Sequence, residues 1–415
     1  MTKRTFEGLW ADLAPVGRDK HSGGYRRFAW SREDSTLREW FDGECEALGL
    51  DVVEDRAGNQ WAWWGNPDDA PGEGVVTGSH LDSVPDGGAF DGPLGVVSSL
   101  LAVRRLKESG FAPARPIGVV NFVDEEGARF GVACAGSRLI TGALTAERAL
   151  GLRDTDGVTM AQAWERAGRE PSDLGRDDAA LARLACFVEV HVEQGRALVD
   201  LPRDAAGDPF GAAVAVGTDI WPHGRFRADL PGRADHAGTT ALGDRDDALV
   251  KAARFIEQVR AAATSRDDGA ARRVVATVGK LDVTPGGINA IASHVTAWVD
   301  ARGVREDDVR AAIDEIAGRA AELGGEWREE SWTPTTPFDA DLVARVHRTL
   351  GEGVPMLGTG AGHDAGILAN HGIPSVMLFV RNPSGTSHSP EEFAQTDDCL
   401  RGVDALVRVL EDLAS

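Results

Sequence analysis

The segment Gly78-Ser79-His80-Leu81-Asp82-Ser83-Val84-Pro85-Asp86-Gly87-Gly88-Ala89-Phe90-Asp91-Gly92 follows directly on the apolar run Gly74-Val75-Val76-Thr77. The run reads as a buried strand, yet the loop beyond it carries one His and three Asp among four Gly. In parallel α/β sheets ligands collect beyond the carboxyl ends of strands, on loops that are free to carry function. Gly87, Gly88 and Gly92 allow tight bends and close backbone approach there. The next residues, Pro93 to Ser109, read as a helix, with Pro at an early position and apolar residues at 94, 97, 100, 101 and 103.

Further strands are expected at Ile117 to Val123 and Phe187 to Val192, alternating with amphipathic stretches, which implies a sheet with helices on both faces. The last third repeats the pattern with a helix near Asp339 to Leu350, a strand at Ile373 to Val380 and a helix at Asp397 to Leu413. Between them the rhythm changes. Strands at Arg225 to Leu230, Arg273 to Val278 and His294 to Asp300, helices at Asp244 to Ala263 and Glu306 to Leu323, and a closing strand at Glu326 to Trp332 suit a small α+β insert. The expectation is therefore an α/β fold: a helix-covered, mostly parallel sheet in a domain built from residues 1–211 and 333–415, with a smaller α+β domain inserted at 212–332. The Pro-, Gly- and Asp-rich loop Asp200 to Gly211 is read as a hinge.

A chain of 415 residues exceeds what one core usually serves, and 42% apolar content fills two. The net charge of -22 argues against nucleic acid, whose binders need a basic surface, and equally against anionic membranes. The four cysteines, Cys45, Cys134, Cys186 and Cys399, lie far apart without a CxxC pair, so neither a disulfide framework nor a thiolate zinc site is indicated. The opening MTKRTFEGLWADLAPVG has no apolar core of a signal peptide, and no run of 18 apolar residues occurs, so the cytoplasm is the expected location.

Four segments place metal-ligand residue types at strand ends: His80, Asp82 and Asp91; Asp124, Glu125 and Glu126; Glu189, His191 and Glu193; and Ser387-His388-Ser389-Pro390-Glu391-Glu392. Singly, each has an ordinary reading: Asp91 ahead of Gly92-Pro93 as a helix cap, Asp124 to Glu126 as a solvated loop. Four at corresponding positions point to bound cations. Imidazole and carboxylate without thiolate suit Zn, Mn or Co, and a mixed set suits two ions about 3.5–4 Å apart, with Asp91 as the shared ligand. The adjacent acids Glu125 and Glu126 allow one to hold metal while the other takes a proton. Asp82, two residues past His80, is placed to orient that imidazole.

In order along the chain, GSHLDSVPDGGAFDGPLGV, DEEGARFG, EVHVEQG, GRADHAGTT, TPGGINAI, VDAR, GAGHDA and SGTSHSPEE resemble the amidase branch of the aminoacylase and metallocarboxypeptidase clan. That branch holds allantoate amidohydrolase, N-carbamoyl-L-amino acid hydrolase and beta-ureidopropionase. The resemblance spans nearly the whole chain. It implies His80, Asp91 and His191 as ligands of one divalent ion, and Asp91, Glu126 and His388 as ligands of the other. The ions would be Zn, with Mn or Co as alternatives, and Glu125 the general base. Peptidase relatives often have a carboxylate at the position of His191, so this His favours an amidase over a peptidase or aminoacylase. Retention of both Glu125 and Glu126 argues against a protein that only binds metal.

The resemblance also makes Gln194, His236, Asn289, Arg302, Gly360, Ala361 and Gly362 substrate-binding positions, with His236 stabilising an oxyanion as a second catalytic group. It implies a small ureido-acid substrate, a lid role for the insert and a homodimer formed through it. Within the branch, VNFVDEEGARFGVACAGSRL and GGYRRFAW look like allantoate amidohydrolases, which puts allantoate first among substrates. The sequence departs from the branch at Ala241-Leu242, where relatives commonly carry Pro-Met. His21, His223, His294, His347 and His371 read as structural or surface residues.

Overall fold

The computed structural model describes residues 4–203, 207–269 and 272–415. The chain forms two compact units, one from Met1–Thr218, Pro337–Leu357 and Gly362–Ser415, the other from Asp219–Thr336 and Gly358–Ala361. The strands are β1 (Asp51–Glu54), β2 (Gln60–Trp64), β3 (Gly74–His80), β4 (Ile117–Phe122), β5 (Leu184–Val192), β6 (Val214–Ile220), β7 (His223–Pro231), β8 (Val274–Thr284), β9 (His294–Gly303), β10 (Glu326–Thr333), β11 (Thr336–Pro337), β12 (Met356–Thr359) and β13 (Ser375–Val380).

The large sheet runs in the order β1-β2-β4-β3-β5-β13-β6-β11, with β12 paired to β6. Its centre, β4-β3-β5-β13, is parallel. Every residue of β3, β4 and β13 is buried, as continuous apolar runs covered on both faces must be. Thr77 shares a hydrogen bond with Ser99 of the helix Pro93–Glu108 on one face. Glu189, one residue past Thr77's partner Val188, accepts from Ala365 N of the helix Asp364–Asn370 on the other. The helix Thr396–Leu413 packs on Pro93–Glu108 and is fixed to the end of β13 by a buried bidentate pair in which Arg381 donates to Asp398 at 2.7 and 3.0 Å.

Register is what makes a site. His80 pairs with Phe122 at the end of β4, Gly78 with Glu189 two residues before His191, and Phe379 with His191. The carboxyl ends of four neighbouring strands therefore stop at one level, and each releases a loop rich in His, Asp or Glu.

The second unit has the order β7, helix Ala248–Thr264, β8, β9, helix Glu306–Glu322, β10. Its antiparallel sheet runs β10-β7-β9-β8. Alternate residues of β7 and β9, among them Phe226, Ala228, Leu230, Val295, Ala297 and Val299, pack with Phe255, Val259, Ile313 and Ile316 of the two helices into one core.

Elements differ from expectation where pattern is short. The antiparallel pair β1–β2 was not anticipated, because four and five residues give no usable periodicity. Residues 214–218, expected in the insert, belong to β6, which pairs with β13 in the large sheet. The stretch expected as a hinge, 200–211, lies in the first unit's part of the chain, with residues 204–206 outside the described residues.

Candidate metal centre and active site

The four strand-end loops bring His80, Asp91, Glu125, Glu126, His191 and His388 together. Asp91 Oδ1 stands 3.5 Å from His80 Nε2 and 3.2 Å from His191 Nε2. Its other oxygen, Oδ2, stands 3.4 Å from His388 Nε2, which is in turn 3.4 Å from Glu126 Oε2. One carboxylate thus faces two separate donor sets. Both are geometrically able to hold a metal ion.

The imidazoles are prepared for that task. His80 Nδ1 lies 3.2 Å from the carbonyl of Asp82 and His191 Nδ1 lies 2.9 Å from that of Val192. In the neutral ring, a proton on each Nδ1 leaves Nε2 as a lone pair. Both Nε2 atoms are buried and without a hydrogen-bond partner. Such orphaned acceptors are costly unless something occupies the space between them. Ligands held about 2.0–2.1 Å from a tetrahedral cation stand about 3.3–3.4 Å apart, the separation seen here between the donor atoms. The residues present fit two divalent cations.

Asp82 does more than orient His80. Its two oxygens accept from Glu125 N at 3.1 Å and Glu126 N at 3.0 Å, so one carboxylate fixes the backbone of both acids. Their side chains then part. Glu126 reaches His388, while Glu125 Oε2 sits 3.6 Å from His80 Nε2 and its Oε1 accepts from the Cys134 thiol at 3.4 Å. Gly92 closes the pocket floor: its φ is +83°, and a Cβ there would lie 2.4 Å from the His80 ring.

The electrostatics of the chain alone are unbalanced. Burial and then the charge of Asp364 push Glu125 well above the usual carboxylate range, with His80 opposing, and burial and then Asp91 push Glu126 up to about 7. Asp91, despite burial, is held well below its ordinary value, chiefly by His191 and also by His388 and His80. The hydrogen bond to Asp91 lifts His388 to about 9. Carboxylates crowded at this depth call for cations, and cation binding there would displace protons.

Sequence reasoning grouped Glu189 with the ligand types and gave no role to its neighbours Asp364 and His363. Glu189 accepts from Ser79, Asp364 accepts from Ser137, and the His363 ring lies 4.4 Å from that of His191. A signal for Asp364 and His363 existed in the GHDA motif. Glu193, grouped with the ligand types by sequence, instead caps a turn by accepting from Ala197 N and Leu198 N. Gln194 is at the site, where its amide donates to Asp91 Oδ2 at 2.6 Å.

His236, Asn289, Arg302, Gly360 and Ala361 lie in the second unit and Gly362 in the first. In the second unit, Ala237 N donates to Asn289 O, so the His236 and Asn289 loops are joined. His236 Nδ1 accepts from Gly238 N at 3.0 Å, which leaves the ring proton on Nε2. Arg302 corrects a simple expectation of a free fork, because Asp300 occupies its Nε and Nη2 at 2.6 and 3.0 Å and Gly360 O takes Nη1 at 2.8 Å. His223 and His347 bond to carbonyls, and His294 to Asp229 and Thr296.

Residues 76–412 match the peptidase family M20/M25/M40. The chain belongs to this family. It is accordingly a hydrolase of C–N bonds. Among family relatives, the N-carbamoyl-L-amino acid amidohydrolase of Geobacillus stearothermophilus is 35% identical over 98% of both chains. The allantoate amidohydrolase of Bacillus subtilis is 31% identical over 94% of this chain and 93% of its own. A crystal structure of a hydantoinase/carbamoylase family amidase from Burkholderia vietnamiensis superposes with a TM-score of 0.83 at 30% identity, covering 99% of this chain and 98% of that one. Among the described residues no helix is long and apolar enough to cross a membrane.

Cation binding at this centre is directly measurable. Adding Zn²⁺ or Mn²⁺ to chelator-stripped protein should raise the unfolding temperature, since a ligand at a hundredfold its dissociation constant stabilises by about 2.7 kcal/mol. A thermal-shift titration reads the change, and His191→Ala should reduce it. An unfolding temperature that ignores both metals would refute the ligand assignment.

Proposed function

We propose that the protein is a two-cation amidohydrolase that cleaves the terminal carbamoyl C–N bond of a ureido acid. The observation that carries this reading is the Asp91 carboxylate facing two ligand sets with an uncommitted acid, Glu125, beside them. Two bound divalent ions, Zn or else Mn or Co, would supply Lewis acidity and a water acidic enough to ionise near neutral pH. Glu125 takes the proton of the attacking water and returns it to the leaving nitrogen. Asp82 keeps Glu125 free for this by fixing its backbone while Glu126 is committed to His388. The terminal amide nitrogen leaves as ammonia, and the remaining carbamate loses carbon dioxide, so the inner nitrogen stays on the product as an amine.

The second unit supplies recognition in this reading, closing as a lid during turnover. His236 presents Nε2–H as a donor to the oxyanion. Arg302, held by Asp300, offers its remaining guanidinium protons to the substrate carboxylate, with Gln194, Asn289 and the Gly360-Ala361-Gly362 loop completing the substrate contacts.

Allantoate comes first as substrate. The stretch Val120 to Leu139, which looks like allantoate amidohydrolases, contains Glu125 itself and Cys134, whose thiol donates to it. The other such stretch, GGYRRFAW, supports this choice less than sequence implied, because Tyr25 and buried Arg27 serve to hold carbonyls of Leu13, Ala14 and Val16. N-carbamoyl-L-amino acids are the second reading, favoured by the 35% identity to such an enzyme.

A homodimer through the second unit is part of the proposal. β8 is an edge strand, and Val275 and Leu281 on it are exposed, as are Leu249, Val250 and Ile256 on the helix Ala248–Thr264 that packs beside it. The cytoplasm is the proposed location, consistent with four buried cysteines that are all free thiols.

Ammonia release from allantoate, N-carbamoyl amino acids and beta-ureidopropionate, measured in parallel on metal-loaded enzyme, tests the function; no release from any would remove it. Glu125→Gln should lose about 10²- to 10⁴-fold in kcat with cation content intact. Turnover within tenfold of the parent would take the base role from Glu125. Light scattering should give the mass of two chains, and Leu249→Asp with Leu281→Asp that of one; a parent that is already monomeric would contradict the interface.

A further inference from the structure

The acid at the end of SGTSHSPEE has no role so far. Glu392 is buried, and its Oε1 accepts from Phe90 N at 2.7 Å and Asp91 N at 2.9 Å. Its Oε2 accepts from Ser387 Oγ at 2.9 Å, and that hydroxyl also lies 3.0 Å from Asp91 Oδ2. The space it fills is reserved by sequence, since a Cβ on Gly88 would stand 2.3 Å from Glu392 Oε1. One side chain therefore binds the backbone of the shared ligand Asp91, and through Ser387 it reaches the turn carrying His388, a residue held at φ +55°. These two loops are about three hundred positions apart in the chain and share no strand pairing.

We propose that Glu392 is a positioning residue that sets the separation of Asp91 and His388, and with it the affinity of the cation held by Asp91, Glu126 and His388. The proposal rests on the two-cation reading above. Glu392 acts through geometry, one oxygen holding the amides of Phe90 and Asp91 and the other holding the Ser387 hydroxyl. Its two backbone bonds fix where Asp91 begins. Glutamine keeps a carbonyl oxygen for Phe90 N and Asp91 N; alanine keeps nothing and leaves two buried N–H groups without an acceptor.

The experiment is calorimetric titration of Mn²⁺ into metal-stripped full-length protein, with the unfolding temperature of the metal-free form measured alongside. The parent should bind two ions. Glu392→Ala should weaken one of the two by about 10- to 100-fold, the range found when groups that orient metal ligands are removed, and leave the other within threefold. Glu392→Gln should restore affinity to within about fivefold of the parent, as a hydrogen-bonding role demands. Ser387→Ala, which should fold whatever Glu392→Ala does, should weaken the same ion and not the other. Equal loss at both sites in step with a lower metal-free unfolding temperature, or unchanged affinity in Glu392→Ala, would overturn the proposal. A Gln variant as weak as Ala would do the same. A parent that binds no Mn²⁺ would instead remove the two-cation reading itself.

Discussion

The Asp91 carboxylate is the constraint on which the rest of the structure depends. Its oxygens point to different partners, His80 and His191 on one side and His388 and Glu126 on the other. To hold four such partners around one group, four strands must end at the same level, and four loops must bend inward over a span set by single glycines. The parallel centre of the large sheet satisfies the first demand by register. Gly88 and Gly92 satisfy the second, one by making room for Glu392 and the other for the His80 ring.

The second consequence is energetic. Asp82, Asp91, Glu125, Glu189, Asp364 and Glu392 are all buried in and around this pocket. Burying carboxylates without countercharge is expensive, and the protein answers with backbone and hydroxyl donors wherever it can: Asp82 on two amides, Glu392 on two amides and a hydroxyl, Glu189 on a hydroxyl and an amide. What those donors leave uncovered is the space between Asp91 and the imidazoles. That remainder is where ions of double charge would restore balance.

Much of this was readable from residue order. Long apolar runs with acids at their ends gave β3, β4, β5 and β13 and the loops that follow, and the strand-helix-strand-strand-helix-strand rhythm gave the second unit. The ligand types stood out because His80 ends β3, His191 lies one residue before the end of β5, and His388 sits in the loop after β13. Short elements were invisible: β1 and β2 carry too few residues for a period, and β6 changed domain because its partner β13 lies over 150 residues away in sequence. Glu392 and Glu189 were legible only as ligand types, and their clamping roles escaped for another reason. Nothing local distinguishes an acid that clamps a distant loop from one that faces water, whereas burial and two amide donors identify it at once. The Arg302 fork shows the same limit, since its engagement by Asp300 two residues earlier depends on strand alternation plus a side-chain conformation that spacing alone does not specify.

The most direct measurement is anomalous diffraction from crystals of the protein grown with Mn²⁺ or Zn²⁺, collected on either side of the metal edge. The account predicts two peaks about 3.5–4 Å apart, one within ligand distance of His80, His191 and Asp91, the other within ligand distance of Asp91, Glu126 and His388. A single peak, or two peaks that do not share Asp91, would contradict it.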